Sequence, residues 1–264
     1  MRTVLATINA KYIHTSLAMR LLYVATKERF DISFREFALK EDVEKMAGEL
    51  LLTGCAVVGL GVYIWNVQQI CRLVSLLKAQ KPDLIIILGG PEVTCEPAFF
   101  LANRQVDYVV SGEGEFVLGE LLEAIRERRE VDIEGVSCRE KICRTVVRAD
   151  LEKVAALQSP YRLPEDREAM RNRVVYVETS RGCPFQCTYC LASLEKGVRF
   201  FPETYVFENL DYLIDNGART IKFLDRTFNL YPDRMSAIFD FLIHRYRAGL
   251  SCQFEIVATY CTTT

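Results

Sequence analysis

The chain is poor in histidine and tryptophan and has no excess of charge of either sign. Its 264 residues include two histidines and one tryptophan, and 33 basic residues are balanced by 35 acidic ones. Two histidines are too few for a histidine-rich zinc site. The charges are also interspersed, so no basic region of the kind that binds nucleic acid stands out, and we expect no nucleic-acid partner.

Long apolar runs and a secretion signal are absent as well. The longest apolar stretches, CAVVGLGVYIW and LIIILGG, have the length of strands, whereas a membrane-spanning helix needs roughly 18 residues. The amino-terminal MRTVLATINAKYIH has too short an apolar stretch and no small-residue cleavage site for a signal peptide. We therefore expect a cytoplasmic protein with no membrane partner. In that reducing compartment its ten cysteines are core thiols or metal ligands rather than a disulfide framework.

Short apolar runs alternate with segments of helical period over residues 1–130. The pattern predicts strands over 3–8, 32–37, 57–63, 84–88 and 108–111, and helices over 14–28, 42–52, 66–80, 96–102 and 115–128. The run LIIIL is apolar on both faces, as in a sheet that helices cover on each side. The order predicts an α/β fold, an N-terminal flavodoxin-like (Rossmann-like) doubly wound parallel sheet.

Such a sheet binds its ligands at the carboxyl ends of the strands, which here are followed by loops over 9–15, 63–66, 89–94 and 112–115. Glycines at 89, 90, 112 and 114 let the backbone approach a large flat or phosphorylated ligand, although Gly-Gly-Pro can also simply form a turn. No GxGxxG follows the first strand, which excludes a nicotinamide site. Asn9 and Tyr63 stand where a phosphoacceptor domain needs acidic residues, so that function is excluded too.

The pattern then degrades and a second series begins. Residues 131–172 read as a linker with a small hairpin over 133–145, and the CxxxxC of Cys138 and Cys143 is a poor ligand set. From 173 to 264 we predict strands over 174–180, 220–224 and 252–257, and helices over 203–216 and 233–246. This β-α-β-α-β order predicts the first half of a βα partial barrel.

Three cysteines lie close together in RGCPFQCTYC, after the first strand of the second part. Cys183, Cys187 and Cys190 form CxxxCxxC and can converge on one metal centre. Structural zinc would need a fourth ligand, and none is near in the sequence. An iron–sulfur cluster with three cysteine ligands leaves one iron open for a substrate or cofactor. Zinc, or three cysteines that crowd a turn by chance, are the alternatives.

This loop resembles the signature of the radical S-adenosylmethionine (SAM) enzymes. The likeness lies in CxxxCxxC, in the aromatic Tyr189 before the last cysteine, and in the flanking SRGCP and CTYC. The first part resembles the cobalamin-binding domain that precedes the barrel in the cobalamin-dependent class, with NAKYIHTSLA, GVYIWN, LGGPEV and GEGE at its loops. The resemblance covers nearly the whole chain.

The resemblance implies cofactors and a reaction. Cys183, Cys187 and Cys190 would hold three irons of a four-iron four-sulfur cluster, and the fourth iron would bind SAM. An electron from the cluster cleaves SAM to methionine and a 5′-deoxyadenosyl radical, and in the cobalamin class a methyl group on cobalt is often delivered to an unactivated carbon. The implied partners are a small-molecule or peptide substrate and an electron donor such as a flavodoxin or ferredoxin. A binding-only cobalamin or iron–sulfur module and an inactive truncated fragment are the alternatives.

The resemblance also implies cofactor-binding residues. In the first part these are Asn9, Tyr12, His14, Tyr63, Trp65, Asn66, Gly89, Gly90, Pro91, Glu92, Gly112 and Glu113. In the second part they are Tyr189, Asp225, Asn229 and Glu255. The family often has a Gly-Gly-Glu-like stretch after its second barrel strand, whereas this chain has FLDRTFN, so Asp225 could equally be a capping or turn carboxylate. Trp65 could equally fill the core.

Two features depart from the family pattern. The histidine motif DxHxxG is absent, because Tyr12 and Leu17 stand where it needs Asp and Gly around His14. We therefore expect cobalamin without a protein histidine on cobalt, and with Tyr63, Trp65 or Asn66 near its lower face. The barrel of the family has six βα units, whereas this chain has two and a half and ends on ATYCTTT. We therefore expect a truncated barrel with an unpaired strand edge over 254–257.

Overall fold

The computed structural model describes residues 1–102, 105–194, 197–246 and 249–257, which belong to two compact units divided after Pro160. The first unit contains a six-stranded sheet in the order β2-β1-β3-β4-β5-β6. Its strands are β1 (Thr3–Asn9), β2 (Ile32–Ala38), β3 (Val57–Gly61), β4 (Ile85–Gly89), β5 (Tyr108–Val110) and β6 (Val136–Ser137). Strands β1 to β5 are parallel, and β6 pairs with β5 in the antiparallel direction. The predicted flavodoxin-like sheet is thus confirmed.

Helices pack on both faces of this sheet. They are α1 (Leu17–Thr26), α2 (Val43–Leu52), α3 (Val67–Gln80), α4 (Pro91–Thr94), α5 (Pro97–Ala102), α6 (Val117–Glu127) and α7 (Leu151–Ala155). Side chains of a strand alternate between faces, and β1 shows the consequence. Val4 and Ile8 belong to the core cluster that contains α2 and α3, whereas Leu5 belongs to the cluster that contains α1 and α6. Both faces are therefore apolar and covered.

The segment predicted as a linker over 131–172 is not a free connection. Strand β6 lies within it, and Cys138 and Lys141 close a tight turn by exchanging backbone hydrogen bonds of 2.9 and 3.3 Å, at the place where a hairpin was expected. Val147 forms a bridge with Gly112 of the first sheet. Residues 131–160 therefore belong to the first unit, and residues 161–172 to the second.

The second unit contains a three-stranded parallel sheet in the order β11-β10-β7. Its elements are β7 (Val174–Val177), β8 (Ser180–Cys183), β9 (Gly197–Phe200), α8 (Glu203–Asp215), β10 (Thr220–Phe223), α9 (Pro232–His244) and β11 (Ser251–Gln253). Parallel strands in sequential order, with a helix between each pair, are the arrangement with which a βα barrel begins. Strands β8 and β9 form a separate antiparallel pair that the sequence pattern did not predict.

The end of the described chain differs from the prediction. The strand expected over 252–257 ends at Gln253, so the expected strand edge over 254–257 does not form. The ring of Phe254 instead stacks on Phe223 at 4.6 Å and contacts Phe228 at 4.5 Å. The tail ATYCTTT lies outside the described residues. Across the part of the chain that is described, no helix is both long and apolar enough to cross a membrane.

Two glycines give a matched test of this fold. Gly48 lies within α2, and a Cβ built there meets no atom within 4 Å, so Gly48→Ala should raise the free energy of unfolding by about 0.5–1 kcal/mol through helix propensity. Gly112 has φ +97°, and a Cβ there would lie 2.3 Å from the carbonyl oxygen of Val147. Gly112→Ala should therefore lower the free energy of unfolding. Urea unfolding followed by circular dichroism measures both. If Gly48→Ala lowered the free energy of unfolding, the conclusion that a Cβ fits at this helical position without a clash would be wrong.

Candidate functional site

The buried amide of Asn66 joins the carboxyl ends of β1 and β3. Its Nδ2 donates to the carbonyl oxygens of Ile8 (3.0 Å) and Gly61 (3.1 Å), and its Oδ1 accepts from the backbone N–H of Tyr63 (2.8 Å). Asn66 is fully buried. Its hydrogen bonds thus shape the loop after β3, which is a different role from the predicted contact with a cofactor.

Trp65 and Tyr63 form a flat aromatic surface at the same edge. Their rings stack with centroids 4.6 Å apart and planes inclined by 8°, and Nε1 of Trp65 donates to the carbonyl oxygen of Ile8 (3.1 Å). Trp65 remains 45% exposed, so the alternative that it fills the core is wrong. Tyr12, in the loop after the neighbouring strand β1, is 72% exposed. The aromatic residues predicted for this edge are therefore accessible.

A buried ion pair holds the loop after β1. Arg20 and Glu36 lie 3.0 Å apart with side chains only 5% and 8% exposed. Glu36 also accepts from Nδ2 of Asn9 (3.2 Å) and from the backbone N–H of Ser16, while Nδ2 of Asn9 donates to the carbonyl oxygen of His14 (3.0 Å). The loop that carries Tyr12 and His14 is thus fixed at its base. Arg20 and Glu36 were not predicted, although charged residues within the apolar patterns LAMRLL and ISFREFA are signals of such a buried ion pair.

In the loops after β4 and β5, the glycines predicted to make room for a ligand are approached by other parts of the protein. A Cβ at Gly90 (φ +108°) would lie 2.6 Å from the carbonyl oxygen of Val62, and one at Gly112 would meet the backbone of Val147. The protein's own backbone, rather than a ligand, therefore requires these two glycines. Gly89 is different, because a Cβ there would have its nearest neighbour at 3.9 Å.

The remaining predicted residues of these loops also bind the protein itself. Oε2 of Glu113 accepts from the backbone N–H of Ala149 (2.6 Å), and the backbone N–H of Glu92 donates to Val62 (3.4 Å). The hydroxyl of Thr94 donates to the carbonyl oxygen of Gly90 (2.9 Å) and accepts from the N–H of Gly112 (3.3 Å), which links the loops after β4 and β5. Pro91 is exposed at the start of α4.

In the second unit the three cysteines lie on one loop. Cys183 ends β8, and the backbone N–H of Cys190 donates to the carbonyl oxygen of Cys187 (3.0 Å), which forms a turn. All three are half-buried, and none of them forms a disulfide. Gly182 precedes them with φ +93°, and a Cβ there would lie 2.2 Å from the carbonyl oxygen of Gly197 on the paired strand β9. The glycine of RGC is therefore required by the β8–β9 pair.

Asp225 holds the start of this loop. Its Oδ1 accepts from the hydroxyls of Thr179 (2.6 Å) and Ser180 (2.5 Å), and its Oδ2 accepts from the backbone N–H of Thr179 (3.1 Å). Asp225 is 2% exposed. The carboxylate therefore joins the ends of β10 and β7. This is the turn-carboxylate alternative, here acting between two strands.

Asn229 and Glu255 also contact the protein. The side-chain amide of Asn229 exchanges two hydrogen bonds with the backbone of Val257, at 2.8 and 3.1 Å. Glu255 is exposed, lies beyond the end of β11, and contacts Arg226 at 4.0 Å. The expectation that Glu255 projects from a strand is thus wrong, because the strand has ended before it.

Tyr189 is the most exposed of the predicted residues in the second unit, at 90%. A hydrogen bond with Cys187 raises the pKa of its hydroxyl. The side chain of Tyr189, which directly precedes Cys190 in the sequence, therefore lies next to the thiols.

Among the described residues, the other cysteines do not form a ligand set. Cys55 is buried, Cys71 and Cys95 are exposed, and burial raises the pKa of the Cys252 thiol. Cys261 lies outside the described residues. Burial also acts to raise the pKa of Cys143, but hydrogen bonds from Thr145 and Gly135 outweigh it and hold that pKa below its ordinary value.

Comparisons with known protein families match both units. Residues 3–122 match the B12 binding domain, and residues 177–262 match the radical SAM superfamily. The chain thus combines a B12-binding domain with a radical SAM domain.

Curated relatives that the chain matches include proteins named as methyltransferases. An uncharacterized methyltransferase of Pyrococcus horikoshii is 34% identical over 170 residues, which cover 61% of this chain and 37% of the relative. The cobalamin-dependent radical SAM methyltransferase TokK of Streptomyces tokunonensis is 28% identical over 192 residues, which cover 67% and 28% of the two chains. The chain thus spans about a third of the length of the curated relatives that it matches.

Solved structures share the fold. The radical SAM methyltransferase TsrM of Kitasatospora setae, determined with cobalamin and a 4Fe-4S cluster, matches with a TM-score of 0.70 at 19% identity, over 92% of this chain and 51% of TsrM. The cobalamin-dependent SAM radical enzyme OxsB, determined with aqua-cobalamin and SAM, matches with a TM-score of 0.74 at 19% identity, over 96% of this chain and 38% of OxsB. At such identities the likeness is one of fold.

The radical SAM loop of this chain fits an iron–sulfur cluster by the chemistry of its donors. Three cysteine thiols within one loop, none of them in a disulfide, are the ligands that such clusters take. Among the described residues, no three His, Cys, Asp or Glu side chains converge closely enough to hold a single metal ion. The cysteines of a cluster bind different irons and stand further apart than the ligands of one ion.

Asp225→Asn tests the role of the carboxylate in this radical SAM unit. The amide NH₂ would replace an acceptor by a donor and leave one donor of Thr179 or Ser180 unpaired, so the free energy of unfolding should fall by about 1–3 kcal/mol. Urea unfolding followed by circular dichroism measures this loss. Asp240→Asn, on the exposed face of α9, is the matched control and should change it by less than about 0.5 kcal/mol. Equal stability of both variants would show that Asp225 does not hold the loop.

Proposed function

We propose that this chain binds cobalamin in its first unit and a four-iron four-sulfur cluster with SAM in its second, as part of a cobalamin-dependent radical SAM methyltransferase. The observation that carries the proposal is the loop of three cysteines, none of which forms a disulfide; Thr179 and Ser180, which precede it, are tied by the buried Asp225 to the end of β10. The matches to both domain families and the methyltransferase names of the relatives support it.

Each unit has a defined part in this function. Cys183, Cys187 and Cys190 would hold the cluster, and the exposed ring of Tyr189 would lie beside the SAM that it binds. When bound, the cluster supplies the electron that cleaves SAM to methionine and a 5′-deoxyadenosyl radical, and cobalamin supplies the methyl group. Asp225 keeps the loop at the carboxyl edge of the sheet, which is where ligands of parallel sheets bind.

The first unit offers cobalamin an apolar surface and fixed loops. Trp65, stacked on Tyr63, and the exposed Tyr12 would contact the flat macrocycle, while Gly89 leaves room for a close approach. The Arg20–Glu36 ion pair keeps the loop of His14 in place by holding its backbone. These residues would bind and orient the cofactor without a protein histidine on cobalt.

The partners follow from the same chemistry. The cluster needs a one-electron donor, for which a flavodoxin or ferredoxin is suited, and it needs its cysteines as thiolates, which fits a reducing cytoplasm. A small molecule or peptide with an unactivated carbon would be the methyl acceptor. The rival proposal is a module that binds these cofactors without turnover.

Release of 5′-deoxyadenosine distinguishes the enzyme from the binding module. The 264-residue chain, reconstituted anaerobically with iron and sulfide and reduced with dithionite, should convert SAM to 5′-deoxyadenosine, measured by liquid chromatography. Cys187→Ala should lose the iron–sulfur absorbance and this product, whereas Cys71→Ala, outside the loop, should keep both. A fully reconstituted cluster that releases no 5′-deoxyadenosine would favour the binding module. Full iron content in Cys187→Ala would contradict the cluster assignment.

Spectroscopy can test whether a protein imidazole binds cobalt. We expect the Co(II) form of bound cobalamin to show no nitrogen splitting from a protein imidazole in its electron paramagnetic resonance (EPR) spectrum, because His14 lacks the surrounding histidine motif. His14→Ala should have the same spectrum as the unsubstituted chain. A nitrogen-ligated signal that disappears in His14→Ala would show that His14 binds cobalt.

A further inference from the structure

A buried hydroxyl lies against the first cysteine of the triplet. Oγ1 of Thr227 is 3.6 Å from Sγ of Cys183, which is within hydrogen-bonding range for sulfur. Thr227 is 7% exposed, whereas Cys183 is half-buried. The hydroxyl comes from the loop after β10 and the thiol from the end of β8, so the contact joins two residues that are 44 positions apart in the sequence.

We propose that Thr227 donates a hydrogen bond to the Cys183 thiolate, positions that sulfur for the cluster, and raises the reduction potential of the cluster. The inference rests on the proposed function, because it needs a cluster on Cys183. It makes Thr227 a positioning residue, since it acts through Cys183 and touches neither SAM nor substrate.

The direction of the hydrogen bond follows from the chemistry of the sulfur. With a neutral thiol, either the Cys183 S–H or the Thr227 O–H could donate. A cysteine that binds iron has lost its proton, so its sulfur can only accept, and the hydroxyl becomes the donor. Hydrogen bonds to a charged acceptor are stronger than those between neutral groups, so cluster binding would strengthen this contact.

The hydroxyl is held where it can make this bond. Two residues earlier, Asp225 binds Thr179 and Ser180, and one residue later the backbone N–H of Phe228 donates to the carbonyl oxygen of Glu255 (3.0 Å). The side chain of threonine is branched at Cβ and therefore has few accessible rotamers. The backbone on both sides of Thr227 is thus anchored, and its hydroxyl has little freedom to turn away.

The effect on potential follows from charge. The cluster gains one electron on reduction, supplied by the donor protein or by dithionite, and its sulfurs become more negative. A donated hydrogen bond stabilises that charge more in the reduced cluster than in the oxidised one, which raises the reduction potential. Removal of the hydroxyl should therefore make the cluster harder to reduce.

The test compares Thr227→Val, Thr227→Ser and the control Thr204→Val, which lies on the exposed side of α8. The full chain of each variant is reconstituted anaerobically, its iron is quantified, and the midpoint potential of the cluster is measured by EPR-monitored titration with dithionite. Thr227→Val should have a lower midpoint than the unsubstituted chain, by more than the spread between replicates. Thr227→Ser, which keeps the hydroxyl, and Thr204→Val should match the unsubstituted chain.

Other outcomes separate the inference from the proposed function. Loss of iron from Thr227→Val but not from Thr227→Ser would support the positioning role, because Thr227→Ser keeps the hydroxyl that Thr227→Val removes. Equal iron and equal midpoints in all variants would overturn the inference while leaving the cluster in place. Loss of iron from both Thr227 variants would also overturn it, because the hydroxyl would not be the deciding group. If the unsubstituted chain assembles no cluster, the proposed function itself fails.

Discussion

The parallel direction of the strands is the constraint on which both units depend. Parallel strands end at one edge of their sheet, so the loops that follow meet there, while the last backbone groups of the strands lose their regular partners. Asn66 replaces those partners for Ile8 and Gly61 in the first unit, and Asp225 does so for Thr179 in the second. An unpaired buried backbone group costs about 1–3 kcal/mol, so folding alone already requires a polar side chain at each of these positions.

Much of the fold could be predicted from the sequence, because the relevant signals are local. Apolar periodicity over five to fifteen neighbouring positions marks buried strands and half-buried helices, and it locates the elements of both sheets. It is weaker at their ends. Strand β3 was expected to reach residue 63, but the backbone N–H of Tyr63 turns to the side chain of Asn66, so the strand ends at Gly61. The pair of β8 and β9 was missed because each strand has only four residues and its formation depends on Gly182.

The site divides in the same way between local and distant signals. The cysteine triplet is visible because its spacing lies within eight residues, whereas the residues that hold its loop are distant in the chain. Asp225 is 45 residues from Ser180, and the two meet only through the register of β10 beside β7. Gly112 illustrates the reverse error. Its conformational freedom was assigned to a ligand, but Val147, 35 positions further along the chain, occupies the space beside it.

The polar side chains predicted as cofactor contacts turn out to be largely engaged by the protein, which changes what the two edges can offer a ligand. The side chains of Asn66, Glu113 and Asp225 form hydrogen bonds with the backbone or with hydroxyls of their own unit. In the first unit, the ring of Trp65, which stacks on Tyr63, and the ring of Tyr12 remain accessible. In the second unit, the thiols and Tyr189 remain accessible. A large flat macrocycle presents mostly apolar area, and iron binds thiolate more strongly than it binds an amide or hydroxyl. The polar residues therefore fix the position of each loop, and under the proposed function the aromatic rings and sulfur atoms would contact the cofactors.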